Sequence, residues 1–288
     1  MSAVTAGLPV YNGARFLDRA LECLCAQAFK DLTILISDNA STDATPRIIS
    51  AWAARDARIR VHRQPSNIGI KANFRWVLSN ADSPWFMYAA HDDEWSPAYV
   101  EVLHRAITAR PGLVMAVPQL VSFLDSPQRP VKIRRYPARL DRLAATARIR
   151  LALRRSRPSW FYSLFNRATL AGALQQAATL EQVWAEDVLT ILHVLLTGGV
   201  TGSNEAIYYN RRSPASSLAY APKSARERYA LYRRFMQLAF AALAATPLRP
   251  LERASIVPAL WRYARYVDKP NSMLRAAIRE SWRSVRAA

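Results

Sequence analysis

The first 120 residues predict an α/β fold built on a largely parallel sheet. Three observations carry this. Short apolar runs alternate with helical-period segments, and that alternation implies βαβ units. Polar residues gather after the apolar runs: Asn12, Asp38 with Asn39, Asn67, and Asp92 with Asp93. Right-handed crossovers bring those ends to one rim, where open α/β sheets bind ligands. Beyond Pro222 only helical pattern remains, so a helical extension follows the sheet.

The elements follow in order. Val4 to Val10 is an apolar run closed by a Tyr-Asn-Gly turn. Ala14 to Gln27 sets Phe16, Leu17, Leu21 and Leu24 at helical spacing. Leu32 to Ile36 is a β-rich run that ends at Ser37-Asp38-Asn39. Thr42 or Asp43 caps a helix through Ala54. Ile59 to His62 is a strand, and Gly69 opens a helix through Asn80 with Phe74, Val77 and Leu78 inward. Trp85 to Ala89 is the strand before the paired carboxylates, and Pro97 to Ala109 is the next helix. The beat stops near Leu124. Residues 125 to 140 hold three prolines and several arginines, which predicts a loop or mobile flap. Ala144 to Arg155 reads as a basic helix, and Trp160 to Phe165 as aromatic and β-prone. Glu186-Asp187 precedes an apolar helix that stops at Gly198. Ala206 to Tyr209 is a strand, followed by a polar loop from Asn210 to Ser217. The expected division is a sheet domain over 1–215, with a flexible basic segment at 125–157, and a basic helical extension over 216–288.

Composition narrows the function. Cys23 and Cys25 are the only cysteines in 288 residues, and their spacing on a helix suits neither a disulfide nor a metal, so they read as small buried hydrophobes in a reducing compartment. No stretch of 18 apolar residues occurs, and no charged leader with an apolar stretch opens the chain. The expectation is a cytoplasmic protein, peripheral on the membrane at most. The net charge is +19. Residues 128–157 hold 11 Lys/Arg against one Asp, and residues 222–288 hold 14 against four acids. Such clusters suit phosphate-bearing partners, either anionic lipid or nucleic acid, or they are a surface coat from an arginine-rich composition. A segment from 273 to 286 places Leu274, Ile278, Trp282 and Val285 beside a row of four arginines. That is an amphipathic helix suited to an anionic membrane surface, or to packing on the rest of the protein.

Several motifs, in this order and spacing, resemble the family-2 glycosyltransferases: Pro9-Val10-Tyr11-Asn12, Ser37-Asp38-Asn39-Ala40-Ser41-Thr42-Asp43, Asn67-Ile68-Gly69 with Asn73, His91-Asp92-Asp93 with Pro97, Glu186-Asp187, and Tyr208 to Arg212. The resemblance covers roughly residues 2–215 and implies the GT-A fold, a mostly parallel sheet flanked by helices. It also implies an inverting, metal-dependent transfer of a sugar from a nucleotide-diphosphate donor, UDP-, dTDP- or GDP-linked, to an acceptor hydroxyl. Ala90 stands where the family carries the first carboxylate of its metal motif, although one branch of the family carries Ala-His-Asp-Asp there.

The resemblance assigns roles. Pro9, Tyr11 and Asn12 floor the nucleotide pocket, and Asp38 accepts from the base. Asn67, Gly69, Lys71 and Asn73 belong to the donor site, the amides at the helix start suiting a phosphate. Asp92 is the ligand of Mg²⁺ or Mn²⁺, while Asp93 ligates or orients. His91 adds a nitrogen ligand or hydrogen-bonds a loop. Arg211 and Arg212 reach the diphosphate, hold a lid, or are solvated. Asp187 is the base that takes the acceptor's proton. The basic segments favour a lipid-linked or glycolipid acceptor. A catalytically impaired nucleotide-sugar binder, or a basic membrane- or nucleic-acid-binding protein, is the rival reading, although no nucleic-acid motif is present.

Overall fold

The computed structural model describes residues 2–138, 140–180, 182–212 and 221–268. The helix expected over 273–286 and most of the loop after Arg212 lie outside them. By contacts the chain divides into two compact units. The first comprises Met1–Ala138, Tyr162–Ala171 and Gly199–Arg212; the second comprises Arg139–Phe161, Gly172–Gly198 and Ser213–Ala288. This division differs from a single boundary at 215, because the basic helix after Ala144 and the Glu186-Asp187 helix cluster with the C-terminal helices.

The first unit is a βαβ array. Strands β1 (Val4–Val10), β2 (Leu32–Asp38), β3 (Ile59–Arg63) and β4 (Trp85–Tyr88) lie in the order β3-β2-β1-β4, all parallel. β1 and β2 are buried along their whole length, which is why they read as unbroken apolar runs rather than alternations. Helix α1 (Ala14–Cys25) buries Leu17, Ala20, Leu21 and Leu24, one face at the i, i+3, i+4, i+7 spacing. Each leucine there contributes about 1.5–3 kcal/mol through burial. Cys23 is buried and Cys25 half-buried, and both are free thiols. Burial pushes both above the ordinary range, Cys25 to about 12.

Helix α2 (Thr45–Ala53) begins later than the sequence suggests. Asp43 Oδ1 accepts from the Thr45 amide at 2.9 Å, whereas Thr42 turns its amide to Asn12 Oδ1 at 2.8 Å. Thr42 therefore does not cap the helix. Helix α3 (Ile70–Ser79) opens after Gly69, whose φ of 85° no β-carbon-bearing residue adopts cheaply. Strand β5 (Glu94–Trp95) precedes helix α4 (Tyr99–Thr108).

The remaining strands depart from the parallel plan. β6 (Leu113–Phe123), β7 (Pro130–Arg134), β8 (Leu164–Asn166) and β9 (Gly199–Arg211) complete a nine-stranded sheet. β8 is antiparallel to both β4 and β6, β9 is parallel to β6 and antiparallel to β5, and β7 hangs antiparallel from β6. The sheet is thus parallel in its N-terminal half and mixed beyond it. Two expectations change. Residues 125–140 are not all loop, since β7 lies within them. The closing strand is much longer than Ala206–Tyr209, because it starts at Gly199 and residues Gly199 to Ser203 already pair with β6.

The second unit is helical. Helix α5 (Ala145–Arg155) and helix α7 (Glu186–Thr197) lie in it with α8 (Ala225–Ala244) and α9 (Pro250–Tyr263); α6 (Arg167–Ala177) runs across the boundary at Ala171. α7 is buried nearly all round. The Tyr263 hydroxyl donates to the Val188 carbonyl at 2.7 Å, and Arg228 grips Asp268 through two 2.6 Å contacts. Among the described residues no helix is long and apolar enough to cross a membrane.

Candidate active site

Three loops at the rim of the first unit are stitched together by side chains. After β1 the chain turns at Asn12, whose φ is 50°, a left-handed value that Asn tolerates. Its amide donates to Ser41 Oγ at 2.9 Å, and the Gly13 amide donates to Thr45 Oγ1 at 2.9 Å. Asn39 then joins the second loop to the third. Its Nδ2 donates to Asn67 Oδ1 at 2.9 Å, and its Oδ1 accepts from the Ile68 amide. Asn67 Oδ1 also accepts from the Gly69 amide. Tyr11 leaves its side chain 45% exposed at this rim, a bare ring face for stacking. Pro9 is buried in β1, in register with Ser37.

Asp38 closes β2 and is only 1% exposed. Its Oδ1 accepts from the Ser41 amide at 3.0 Å. Its Oδ2 is buried without an aligned hydrogen bond and lies 3.2 Å from Arg63 Nη1. Arg63 also donates to the Ser41 carbonyl at 2.9 Å. The sequence reading missed Arg63 by ending β3 one residue early. The signal was register: Arg63 stands directly across from Asp38.

Asn73 is buried and spends both ends of its amide on Ser37. Ser37 Oγ donates to its Oδ1 at 2.6 Å, and its Nδ2 donates to the Ser37 carbonyl at 3.1 Å. That pairing fixes α3 against β2. Lys71 is half-buried on the first turn of α3.

The two adjacent carboxylates after β4 separate sharply. Asp92 is half-buried, and its side chain has no hydrogen-bond partner among the described residues. Asp93 is 2% exposed. It accepts from the Tyr208 hydroxyl, from the Arg211 amide at 2.8 Å and from Asn210 Nδ2 at 3.2 Å. Burial, and then the charge of Asp92, push its carboxyl above the ordinary range, while the three donors pull it back. His91 lays its ring on Gly13: a β-carbon there would come within 2.7 Å of its Cδ2.

Arg211 is a hub rather than a free cation. Its guanidinium carbon lies 4.6 Å from the Phe16 ring centre and 4.5 Å from that of Phe123. It donates to the carbonyls of Asp92, Leu124 and Asp125 at 3.2, 3.3 and 3.2 Å, and lies 3.5 Å from Glu94. Glu94, itself buried, also holds Arg19 at 2.9 Å. Arg212 is exposed. Trp160 is 7% exposed and Tyr162 stacks on Tyr208 at 5.3 Å, so both are packing residues.

Asp187 lies in the second unit, on the first turn of α7. Ala185 before it has a φ of 71°, a left-handed alanine that costs roughly 1–2 kcal/mol. Asp187 Oδ1 accepts from the Val188 amide at 2.8 Å. Burial pushes its carboxyl up to about 6, and Glu186 adds to the rise. A cleft of about 480 Å³ in the same unit, lined by His193, Leu196, Leu238 and Ala241 among others, contains none of these candidates.

Among the described residues no three His, Cys, Asp or Glu side chains converge as a metal cage. A Mg²⁺-type ion bound to a diphosphate needs only one or two carboxylates beside phosphate and water oxygens. Asp92 fits that requirement, because its carboxylate is not committed to protein donors.

The model of the family described as Glycosyl transferase family 2 matches residues 5–176. An uncharacterized protein of Mycobacterium tuberculosis is 40% identical over 88 residues, 30% of this chain and 25% of that protein. Glycosyltransferase GlyA of Streptococcus pneumoniae is 29% identical over 104 residues, 36% of this chain and 15% of its own length. The chain thus spans a quarter or less of these curated relatives. Among solved structures, S. aureus TarS in complex with UDP-GlcNAc matches with a TM-score of 0.64 and 16% identity, covering 92% of this chain and 74% of that one. The mannosyltransferase PcManGT from Pyrobaculum calidifontis, in complex with GDP-Man and Mn²⁺, matches at 0.53 and 15%, covering 98% and 87%. These likenesses show the GT-A fold.

Proposed function

The chain belongs to glycosyltransferase family 2, and on that premise we propose that it transfers a sugar from a nucleotide-diphosphate donor to a hydroxyl on a lipid-linked or glycolipid acceptor, with inversion at the anomeric carbon. The observation that carries the reading is the division of labour at the end of β4: Asp93 is locked to Tyr208, Asn210 and Arg211, and Asp92 is left uncommitted.

Tyr11 stacks on the nucleotide base, and Asp38, held in place by Ser41 and Arg63, accepts from its N–H edge. Pro9, Asn12, Asn67, Gly69 and Asn73 shape that pocket through the backbone they fix. Lys71 and the first amides of α3 face negative charge on the donor, and Arg212 supplies a further cation. Asp92 would hold Mg²⁺ or Mn²⁺, which when bound supplies Lewis-acid stabilisation to the leaving diphosphate. Asp93 and His91 orient the loop that carries Asp92. Asp187 takes the proton as the acceptor oxygen bonds to the anomeric carbon and the sugar–diphosphate bond breaks, a contribution of ~10²–10⁴ in rate. Its raised pKa keeps it basic enough to receive that proton while ionised near neutrality. The work takes place at the cytoplasmic face of the membrane.

The test is a thermal-shift panel of UDP-, dTDP- and GDP-sugars with and without Mn²⁺. One donor class should raise the melting temperature in a metal-dependent way. A flat response to every donor would overturn the reading.

A further inference from the structure

The second unit carries an apolar face that the proposed chemistry does not use. On α9, Leu251, Ala254, Pro258 and Trp261 are all exposed, Leu251 at 85% and Trp261 at 49%. Their spacing of three and four residues puts them on one stripe. Phe240 of α8, 37% exposed, packs edge-on against Trp261 with ring centres 6.1 Å apart. None of these side chains has a hydrogen-bonding group except the indole of Trp261. Exposed cations continue the two stripes: Arg262 and Arg265 beyond Trp261, and Arg233 two turns before Phe240. Between 225 and 266 there are eight arginines and two glutamates.

We infer that this α8–α9 face is a docking surface for an anionic lipid bilayer, with Leu251, Trp261 and Phe240 entering the interface and Arg233, Arg262 and Arg265 against the headgroups. Charge selects the occupant. Residues 269–288 carry five Lys/Arg against one Glu, so their charge does not complement a cationic face. A second copy would bring like charge to like charge. Nucleic acid answers the arginines but not an aliphatic stripe headed by Leu251. Anionic lipid satisfies both, because a tryptophan and apolar row flanked by cations is the pattern of interfacial helices, and each cation near an anionic leaflet adds to the attraction. The inference rests on the proposed lipid-borne acceptor for its purpose only.

The experiment is sedimentation of the full-length protein with phosphatidylcholine vesicles, with and without phosphatidylglycerol, across a salt series. The protein should pellet with the anionic vesicles and be released by salt. Leu251→Ser with Trp261→Ser, and separately Arg262→Glu with Arg265→Glu, should each lower partitioning at least about tenfold. Both pairs are exposed, so the melting temperature and its donor-induced shift should stay at wild-type values, which separates this result from the fate of the donor reading. Wild-type pelleting by both double variants overturns the inference, as would loss of binding only on Arg279→Glu with Arg283→Glu. A wild-type dimer that the first double variant converts to monomer, seen by light scattering, also overturns it by assigning the face to a second copy.

Discussion

The Tyr208 hydroxyl donates to the carboxylate of Asp93, joining a residue near the end of β9 to the loop after β4 across 115 positions of sequence. That bond, with those from Asn210 and the Arg211 amide, makes Asp93 part of the scaffold, while the carboxylate of its neighbour Asp92 accepts from no donor among the described residues.

Exchanging the two carboxylates one at a time separates these roles. Asp93→Ala should destabilise the protein by about 2 kcal/mol, since buried donors lose their acceptor, and lower the melting temperature by about 4–8 °C. Asp92→Asn should change stability by less than about 0.5 kcal/mol yet abolish the Mn²⁺-dependent part of the donor shift. The same thermal scans read both effects, and a metal-dependent shift that survives Asp92→Asn contradicts the assignment.

Asp187 sets a pH dependence. Burial raises its carboxyl to about 6, and a base must be ionised, so kcat/KM should climb through pH 6 and level off above it. Asp187→Asn should cut turnover by ~10²–10⁴ and leave the donor shift unchanged. The stability effect has the opposite sense. A carboxyl whose folded pKa exceeds its unfolded value favours folding when protonated, and that benefit is lost as pH rises from about 4 to 6. Asp187→Asn should therefore stabilise the protein above pH 6, by roughly 1–2 kcal/mol once partial exposure of the group is allowed for, and not below pH 4. Urea unfolding at both pH values checks the sign.

Arg211 and Arg212 are adjacent but not equivalent. Arg211→Lys should cost about 2–3 kcal/mol, because an ammonium cannot reproduce the planar fork between Phe16 and Phe123 or its carbonyl contacts. Arg212→Ala should leave the unfolding midpoint in place and weaken donor binding. Equal stability losses in both variants would contradict this split.

Gly13→Ala places a methyl group 2.7 Å from both His91 Cδ2 and Val10 Cγ2. Overpacking of this kind costs typically 1–3 kcal/mol. Adding His91→Ala should recover part of that loss, and a double-mutant cycle measures the coupling. Strict additivity would mean that the ring does not rest on Gly13.

The N-terminal half of the sheet was legible because β1, β2 and β4 are buried on both faces and so spell themselves as apolar runs. β7 was not, since Pro130, Lys132 and Arg134 disguise an exposed edge strand. β9 was read short because Gly199, Gly202 and Ser203 interrupt its strand pattern, and Gly199 to Ser203 join the sheet through their register with β6. The site divides the same way. Tyr11, Asp38, Asp92 and Asp187 stand out as residue types at loop and helix starts. Arg63 and Glu94 do not, for their partners are remote in sequence.

The sequence by itself determined the βαβ rhythm and the rim where polar loops collect, because local periodicity and turn chemistry act within a few residues. Only the tertiary structure decided which of two consecutive aspartates is free, that Asn73 serves Ser37, and that Arg211 is enclosed by two rings. Those outcomes depend on donors and burial supplied by segments far along the chain, and no local pattern encodes a carboxylate's distant neighbours.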